Sequence, residues 1–469
     1  MKRRYTAAAA MMIVMGLCAS ASAAFDENLN DYTLDTMVVE ADAIKNKFGD
    51  TITEQSYYRT GGDVKVITRE EIEKRHYTDL TEAIKRIPGV TFQNPGYRGG
   101  EYGYQFYNNG VSINGDTRVI ILVDGRRVDN AASTRIGNST TSGSKATGVN
   151  LDQVTNMENV DKIEVIKGPG ASVYGSDALG GVINIITRKG GDQNVGSIDL
   201  STGSWHKHKY AISYSGSAGD DNSWHYFVSA NRDMSGDTGY KDGIVGANGS
   251  LGGSKWKEDG VNFRLDKDFN DKQNLKVWYN FKEGKDGYPI AVPNMKYWNE
   301  KDWNDIIFKA TVGQLDANNK LVGGTLSGDA KNPGYHNLYA LDGQVYGSFS
   351  RFKNNDWDVQ YTFNKENGME SFIRVYDQNK GKEWLEKTGG AAQEPTSWHE
   401  EKNRGVQLQY AKTVGVNDII ASVTYDKAKN YSKRIDNTTG EIKTSHVDRK
   451  TTTAYIQDKI HLSDKWDIT

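Results

Sequence analysis

The residues best equipped for chemistry fall in a few places along the chain. Tyr97, Arg98, Tyr102, Tyr104, Phe106 and Tyr107 gather rings and a guanidinium within one short stretch. Such a cluster suits binding by stacking and cation–π contact, and it equally suits aromatic packing at an interface. Arg135 and Lys145 sit in a stretch rich in Ser, Thr and Gly. They could attract an anionic ligand or stand as solvated loop charges. His206 and His208 are two apart at an extended hairpin tip. They could ligate haem iron or a metal ion, and the bland alternative is a pair of solvated surface histidines. The glycines at 168, 170 and 175 lack the Gly-Lys-Ser/Thr ending of a phosphate loop, so they read as backbone shapers. The run Asp237 to Gly243 lacks the spacing and final Glu of an EF-hand. No HExxH or GxSxG occurs, and Cys18 is the only cysteine, so the expectation is a protein that is not an enzyme and has no intrinsic cofactor or metal.

Composition narrows the architecture that must carry these residues. Of 469 residues, 25% are charged and 36% hydrophobic, and the mean hydropathy is −0.69. Fifty glycines, 26 tyrosines and only seven prolines favour an all-β chain. One cysteine excludes a disulfide scaffold, and the glycines have no collagen period. The longest apolar run is N-terminal and falls short of the ~20 residues a helix needs to span a bilayer. That run belongs to a secretory leader over residues 1–24. Lys2, Arg3 and Arg4 form its basic start, Ala7 to Leu17 its apolar stretch, and Ala21-Ser22-Ala23 its cleavage site, with Ser22-Ala23-Ala24 as the alternative. Cleavage removes Cys18 and three positive charges. The result is a translocated, cysteine-free and mildly acidic chain with no face for nucleic acid.

Three zones follow. Residues 25–60 read as a flexible polar tether, interrupted by one strand-competent island, Asp35-Thr36-Met37-Val38-Val39-Glu40-Ala41. Residues 61–190 read as a compact α+β domain. Val64 to Ile67 is a strand, and Thr68 caps a helix with Glu71 in the reciprocal capping-box position. A second helix opens near Thr78, places Leu80, Ala83, Ile84 and Ile87 on one face, and stops at Pro88-Gly89. Val119 to Val123, Ile163 to Ile166 and Val182 to Ile186 are further strands, separated by two long loops over 94–109 and 129–150.

Beyond residue 190 the period becomes two. Leu275, Val277, Tyr279 and Phe281 alternate with Lys276, Trp278, Asn280 and Lys282, and about ten such strands occur, with another beginning at Trp466. Turns such as 219–222, 270–273 and 415–417 are short, while connections near 234–258, 284–350, 380–402 and 428–448 are long. Short turns at one end and long loops at the other describe an outer-membrane β-barrel, apolar outside and polar within.

These residues resemble a known family. Ile163-Glu164-Val165-Ile166-Lys167-Gly168-Pro169 and then Ser172-Val173-Tyr174-Gly175 through Gly180-Gly181-Val182-Ile183-Asn184-Ile185-Ile186-Thr187 are similar to the closing motif of the plug domain in TonB-dependent outer-membrane receptors. Leu80 to Val90 resembles the plug's helix, Val119 to Gly125 its LVDG strand, and the island 35–41 its TonB box. Asn114-Gly115 stands where the family has Arg-Gly, a departure that bears on how the plug docks.

The resemblance implies a mainly β fold, with an N-terminal α+β plug inside an antiparallel transmembrane barrel of 22 strands. About 10–11 of those strands are present, so the expectation is a C-terminally truncated barrel with exposed edges, monomeric when full length. It implies a signal peptide (1–24), a tether with TonB box (25–60), a plug (61–190) and the N-terminal half of a barrel (191–469). It further implies location in the outer membrane, contact with outer-membrane lipid, and periplasmic exposure of the plug and TonB box. The function implied is import of a metal chelate, with a ferric siderophore favoured and cobalamin or haem as alternatives. A binding or adhesion protein that does not transport, and a passive porin, are the rivals of other classes. Work would arrive from the inner-membrane complex through TonB, which would grip residues 35–41 as an added strand. Ligand contacts would come from Tyr97, Arg98, Tyr102, Tyr104, Phe106, Tyr107 and Arg135, and the structural motif from Gly125, Gly168, Pro169, Tyr174, Gly175, Gly180 and Gly181.

Overall fold

The computed structural model describes residues 63–92, 111–116, 118–128, 151–168, 178, 180–219, 221–241, 248–252, 255–287, 290–293, 314–315, 321–322, 349–386, 394–435, 441–463 and 466–468. The N-terminal domain begins with β1 (Asp63–Ile67), α1 (Arg69–Arg75) and α2 (Leu80–Ile84). The Thr68 hydroxyl accepts the Glu71 N–H at 3.2 Å and caps α1. The other half of the expected capping box does not form, because the Glu71 carboxylate meets Arg75 Nε at 3.0 Å along the helix. Asp79, one residue beyond the expected start at Thr78, caps α2 by accepting from Glu82 N–H at 2.6 Å.

Then come β2 (Val90–Phe92), β3 (Val111–Ile113), β4 (Val119–Val123), β5 (Arg126–Arg127), two 3-10 turns at Leu151–Gln153 and Met157–Asn159, β6 (Val160–Lys167) and β7 (Gly181–Thr187). The main sheet of this domain has the order β1-β6-β7-β4-β5, with β4 and β7 parallel. Leu80 and Ile84 of α2 pack over Ile121, Ile163, Val165 and Ile183, while Ile120, Leu122, Ile166 and Val182 fill the opposite face. Burial on both faces explains why β4 reads as an unbroken apolar run.

The larger element is an eleven-stranded antiparallel sheet. In chain order its strands are β8 (Val195–Gly203), β9 (Lys207–Ala218), β10 (Trp224–Ser235), β13 (Trp256–Asn270), β14 (Gln273–Gly287), β18 (Phe349–Glu366), β19 (Met369–Glu386), β20 (Glu394–Val414), β21 (Asn417–Ile435), β22 (Ile442–Ser463) and β23 (Trp466–Ile468). Each pairs with the next through a simple meander. Between them lie the short β11 (Thr238–Lys241), β12 (Asn248–Gly252) and β15 (Ile290–Pro293), which form a small sheet of their own, and the hairpin of β16 (Gln314–Leu315) and β17 (Leu321–Val322). The mainly β class, the α+β domain and the antiparallel sheet all agree with the sequence expectation. The spans 380–402 and 428–448 do not: most of each is strand, because β19, β20, β21 and β22 continue pairing where polar residues occupy both faces.

The sheet's two faces differ as period two requires. On β14, Lys276, Trp278, Asn280 and Lys282 are buried, and Tyr279 is exposed; on β19, Arg374 and Tyr376 are buried between exposed Ile373 and Val375. The polar face covers the N-terminal domain.

Gly181 opens β7 at φ +145°, and a Cβ there would strike the Ile166 carbonyl and come within 2.9 Å of Ile113 Cδ1. Replacement Gly181→Ala is therefore expected to destabilise the N-terminal domain by more than about 1 kcal/mol, read as a lower urea midpoint for its unfolding.

Candidate functional site

The seam between the N-terminal domain and the sheet starts at the turn after β4. Asp124 and Gly125 hold φ values of 47° and 74°, a tight reversal. The Asp124 carboxylate accepts from Thr187 N at 2.9 Å and Thr187 Oγ1 at 2.8 Å. Gly125 N–H donates to Asn184 Oδ1 at 3.0 Å, and Asn184 Nδ2 donates to buried Glu164 at 2.9 Å. So the LVDG segment, the central Glu164 and the closing Val182 to Thr187 strand form one hydrogen-bonded unit, and its turn points at the wall.

The wall answers with cations. Lys276 Nζ lies 3.2 Å from Asp124 Oδ2, and Arg264 Nη1 lies 3.9 Å away. Arg264 also donates to the Thr187 carbonyl at 2.8 Å and is itself oriented by Asp266 at 2.7 Å. Arg374 Nη2 donates to the Asp124 carbonyl at 2.9 Å. Burial disfavours the charged form of Asp124, yet Lys276, Arg264 and the Thr187 bonds outweigh it and hold this carboxyl well below the usual carboxylate range.

Arg126, directly after the turn, is 2% exposed. Its guanidinium lies between the rings of Trp278 and Tyr376, at 5.9 and 5.2 Å. Its Nε is 3.2 Å from Asp358 Oδ2, but none of its nitrogens makes an aligned hydrogen bond, so the pair is an ion contact. Asp358 also faces Arg374 at 3.5 Å and Lys276 at 3.8 Å. One wall carboxylate thus faces three cations, one of them from the N-terminal domain.

Farther along the seam the wall takes up backbone carbonyls. Asn280 Nδ2 donates to Val154 O at 3.0 Å, and Asn354 Nδ2 to Gln153 O at 2.8 Å. Lys282 donates to Asp152 O and pairs with Glu258 at 3.2 Å, and Lys380 donates to Val128 O. Thr155 Oγ1 reaches Asn280 Oδ1 at 3.1 Å and Asn262 Oδ1 at 3.2 Å. Lys209 pairs with Glu158. The connection into β8 is clamped as well. A Cβ at Gly190 would strike the backbone of Gly216 and Tyr226, and Lys189 meets Asp268 at 2.8 Å. The arrangement fits holding and releasing a domain, since it consists of many separate polar contacts that water can replace one by one.

The residues singled out in the sequence are placed unevenly. The island Asp35, Thr36, Met37, Val38, Val39, Glu40 and Ala41 lies outside the described residues, as do Tyr97, Arg98, Tyr102, Tyr104, Phe106, Tyr107, Arg135, Lys145, Pro169, Tyr174 and Gly175. Gly125 and Gly168 hold positive φ, and a Cβ on Gly180 would come within 2.6 Å of the Asp116 carbonyl. His206 sits in a tight turn at φ 55°, and His208 stacks on Tyr210 at 6.3 Å. Among the described residues no group of three potential metal ligands occurs. Asn114 and Gly115 form a turn in which Asn114 N–H donates to Gly89 O at 2.7 Å. The N-terminal domain's own contribution to the buried cations of the seam is Arg126. Sequence reading missed it, along with Asp358, Arg264 and Arg374; the signal was a charged residue on the inward parity of each strand.

Replacement Asp358→Asn leaves three cations without their shared anion and is expected to loosen the seam by about 3–5 kcal/mol, read as earlier proteolysis of the N-terminal domain in a urea series. Asp124, with its folded value depressed, contributes its full stabilisation above the unfolded value near 3.9 and loses it as pH falls further. Docking in the wild type should therefore be insensitive to Asp124 from pH 8 to 5 and weaken only in more acidic solution.

Comparison with known proteins matches this geometry. The family described as TonB-dependent Receptor Plug Domain matches residues 57–182. An iron-regulated outer membrane virulence protein of Vibrio cholerae is 34% identical over 221 residues, 46% of this chain and 28% of that protein. The ferric enterobactin receptor PirA of Pseudomonas aeruginosa is 33% identical over 207 residues, 43% and 26% of the two chains. The vitamin B12 transporter BtuB of Vibrio vulnificus is 30% identical over 172 residues, 37% and 24%. The matched stretches thus span about a quarter of these curated relatives. Among solved structures, the siderophore receptor PirA of Acinetobacter baumannii superposes with a TM-score of 0.56 at 18% identity, over 88% of this chain and 56% of that one. The ferric enterobactin receptor PfeA of Pseudomonas aeruginosa does so with 0.53 at 16%, over 86% and 56%. The plug family's match falls on the domain seated against the polar face of a meander of long strands, so residues 57–182 are a TonB-dependent receptor plug domain, and the chain as a whole is similar in fold to solved receptors.

Proposed function

We propose that this protein imports a scarce metal chelate across the outer membrane, with a ferric siderophore the favoured cargo, using work delivered through TonB. The observation that carries the reading is the seam itself. A folded domain fills the polar side of a sheet whose other side is apolar, so passage requires that domain to shift. The outer membrane offers no nucleotide hydrolysis at the site, so the work must arrive through a partner. Residues 35–41 are the proposed handle for TonB: Met37, Val38 and Val39 are β-prone types, and Asp35 and Glu40 add charge beside them. Relatives named as iron-regulated and enterobactin proteins support the siderophore reading, and those named as vitamin B12 transporters make cobalamin the second reading. The rings and guanidinium at Tyr97, Arg98, Tyr102, Tyr104, Phe106 and Tyr107, with Arg135, are the proposed contacts to an anionic, aromatic chelate.

Deletion of residues 35–41 tests the transport reading in cells. Ligand binding at the surface should persist while accumulation falls to background. Unchanged accumulation would leave the chain as a binding protein or a passive pore. A growth screen on ferric catecholates, haem and cobalamin as sole sources separates the cargo readings.

A further inference from the structure

One stretch of the N-terminal domain crosses the wall strand by strand. Residues 152–158 are all buried. The Gln153 carbonyl accepts from Asn354 of β18, and the Val154 carbonyl from Asn280 of β14. Thr155 Oγ1 reaches Asn280 of β14 and Asn262 of β13. Asn156 lies over the pair formed by Gly260 of β13 and Asn231 of β10. Glu158 ends the series at Lys209 of β9. The sheet order is β18-β14-β13-β10-β9, so the segment advances across five strands in their own order.

Asn156 differs from its neighbours. It is 4% exposed, and among the described residues neither its Oδ1 nor its Nδ2 has a hydrogen-bond partner. What holds it is shape. A Cβ on Gly260 would strike Asn156 Nδ2 and lie 2.7 Å from Asn156 Cγ and 2.6 Å from Asn231 Oδ1. The flanking residues on the same face of β13, Glu258 and Asn262, are both buried. Gly260 is thus the gap in a filled row, and the Asn156 amide fills it. Beside the amide lies a cavity of about 10 Å³ whose lining includes Asp79, Asp152, Asp233 and Glu258. It has the size and polarity for one water molecule, which offers the amide both a donor and an acceptor. Hydrogen bonds along the seam exchange with water, whereas a close-packed side chain in a socket has to be lifted out.

We infer that Asn156 is a positioning residue that fixes the docked height of the N-terminal domain, with Gly260 as its socket, and that its withdrawal is the step that frees the crossing segment. Displacement along β13 in either direction drives the amide into Glu258 or Asn262. The segment therefore leaves the wall by lifting, and the path beside it stays closed while Asn156 is seated. The closed path rests on the transport reading; the key and its socket do not.

The test uses the protein in isolated outer membranes with added protease. Cleavage of the N-terminal domain follows the fraction that is undocked. Gly260→Ala should raise the rate about tenfold, the effect of one methyl forced into a filled site. Gly260→Ala/Asn156→Ala should return it to within about twofold of the wild-type rate, because the wall methyl then occupies the place of the amide. Gly284→Ala, whose Cβ would strike Phe352 of the wall, should gain nothing from Asn156→Ala. An unchanged rate in Gly260→Ala, or additive damage in the double variant, overturns the socket. Where Gly260→Ala does not reach the membrane, recovery of folded protein in the double variant supports the socket, and no recovery overturns it. Entry of a bulky antibiotic into intact cells is scored separately. It should rise in Gly260→Ala and fall again in the double variant; a cleavage response without it keeps the socket and overturns the closed path.

Discussion

The structure depends on one constraint: a folded domain placed against one face of a large sheet brings polar backbone to a wall that must supply its partners. The carbonyls of Asp124, Val128, Gln153 and Val154 point out of the N-terminal domain, and its own sheet does not use them. A buried carbonyl left unpaired costs about 1–3 kcal/mol. Arg374, Lys380, Asn354 and Asn280 take these carbonyls in turn. The inward parity of the strands is polar for this reason, and the outward parity is free to be apolar. The polar inward residues of strands such as β14, β18 and β19 contribute to the low mean hydropathy of the chain.

The same constraint shapes what the seam can do. Hydrogen bonds net about 1 kcal/mol each, because water offers a substitute for every one. A domain held by many such bonds is stable at rest and can be detached in sequence by a pull, as an apolar interface of equal area could not. Two places resist that exchange. The Arg126 guanidinium is buried between Trp278 and Tyr376 against Asp358, and the Asp124 turn sits beneath Lys276 and Arg264. Both lie on the segment after β4, so resistance to movement concentrates there.

Much of the architecture was legible because period and burial are coupled. Ile163 to Ile166 and Val182 to Ile186 are continuous apolar runs, and they occupy the doubly covered centre of the sheet. The alternation of Leu275 to Lys282 gave both the strand and its two faces. The seam was less legible. Asn114 drew attention as a departure from Arg, yet the buried arginine comes from Arg126, on the other side of β4. Sequence cannot reveal which arginine meets the wall, since that depends on which wall residue lies opposite after folding. Asp358 looked like any inward polar residue until the register placed it beside Lys276 and Arg374. The strand extensions past residues 380 and 428 escaped because pairing there follows backbone continuity, with no apolar face to announce it.

The central claim is that the domain must shift from the wall for cargo to pass. Thr155 and Asn280 touch across the seam, at 3.1 Å between side-chain oxygens. The sequence has one cysteine, Cys18, so in a Cys18→Ser background a Thr155→Cys/Asn280→Cys pair can be bridged without competition. Ligand accumulation measured in cells carrying this pair, oxidised and then reduced, tests the claim directly. The account predicts that oxidation preserves ligand binding, abolishes accumulation, and that reduction restores it. Undiminished accumulation with the bridge formed would contradict it.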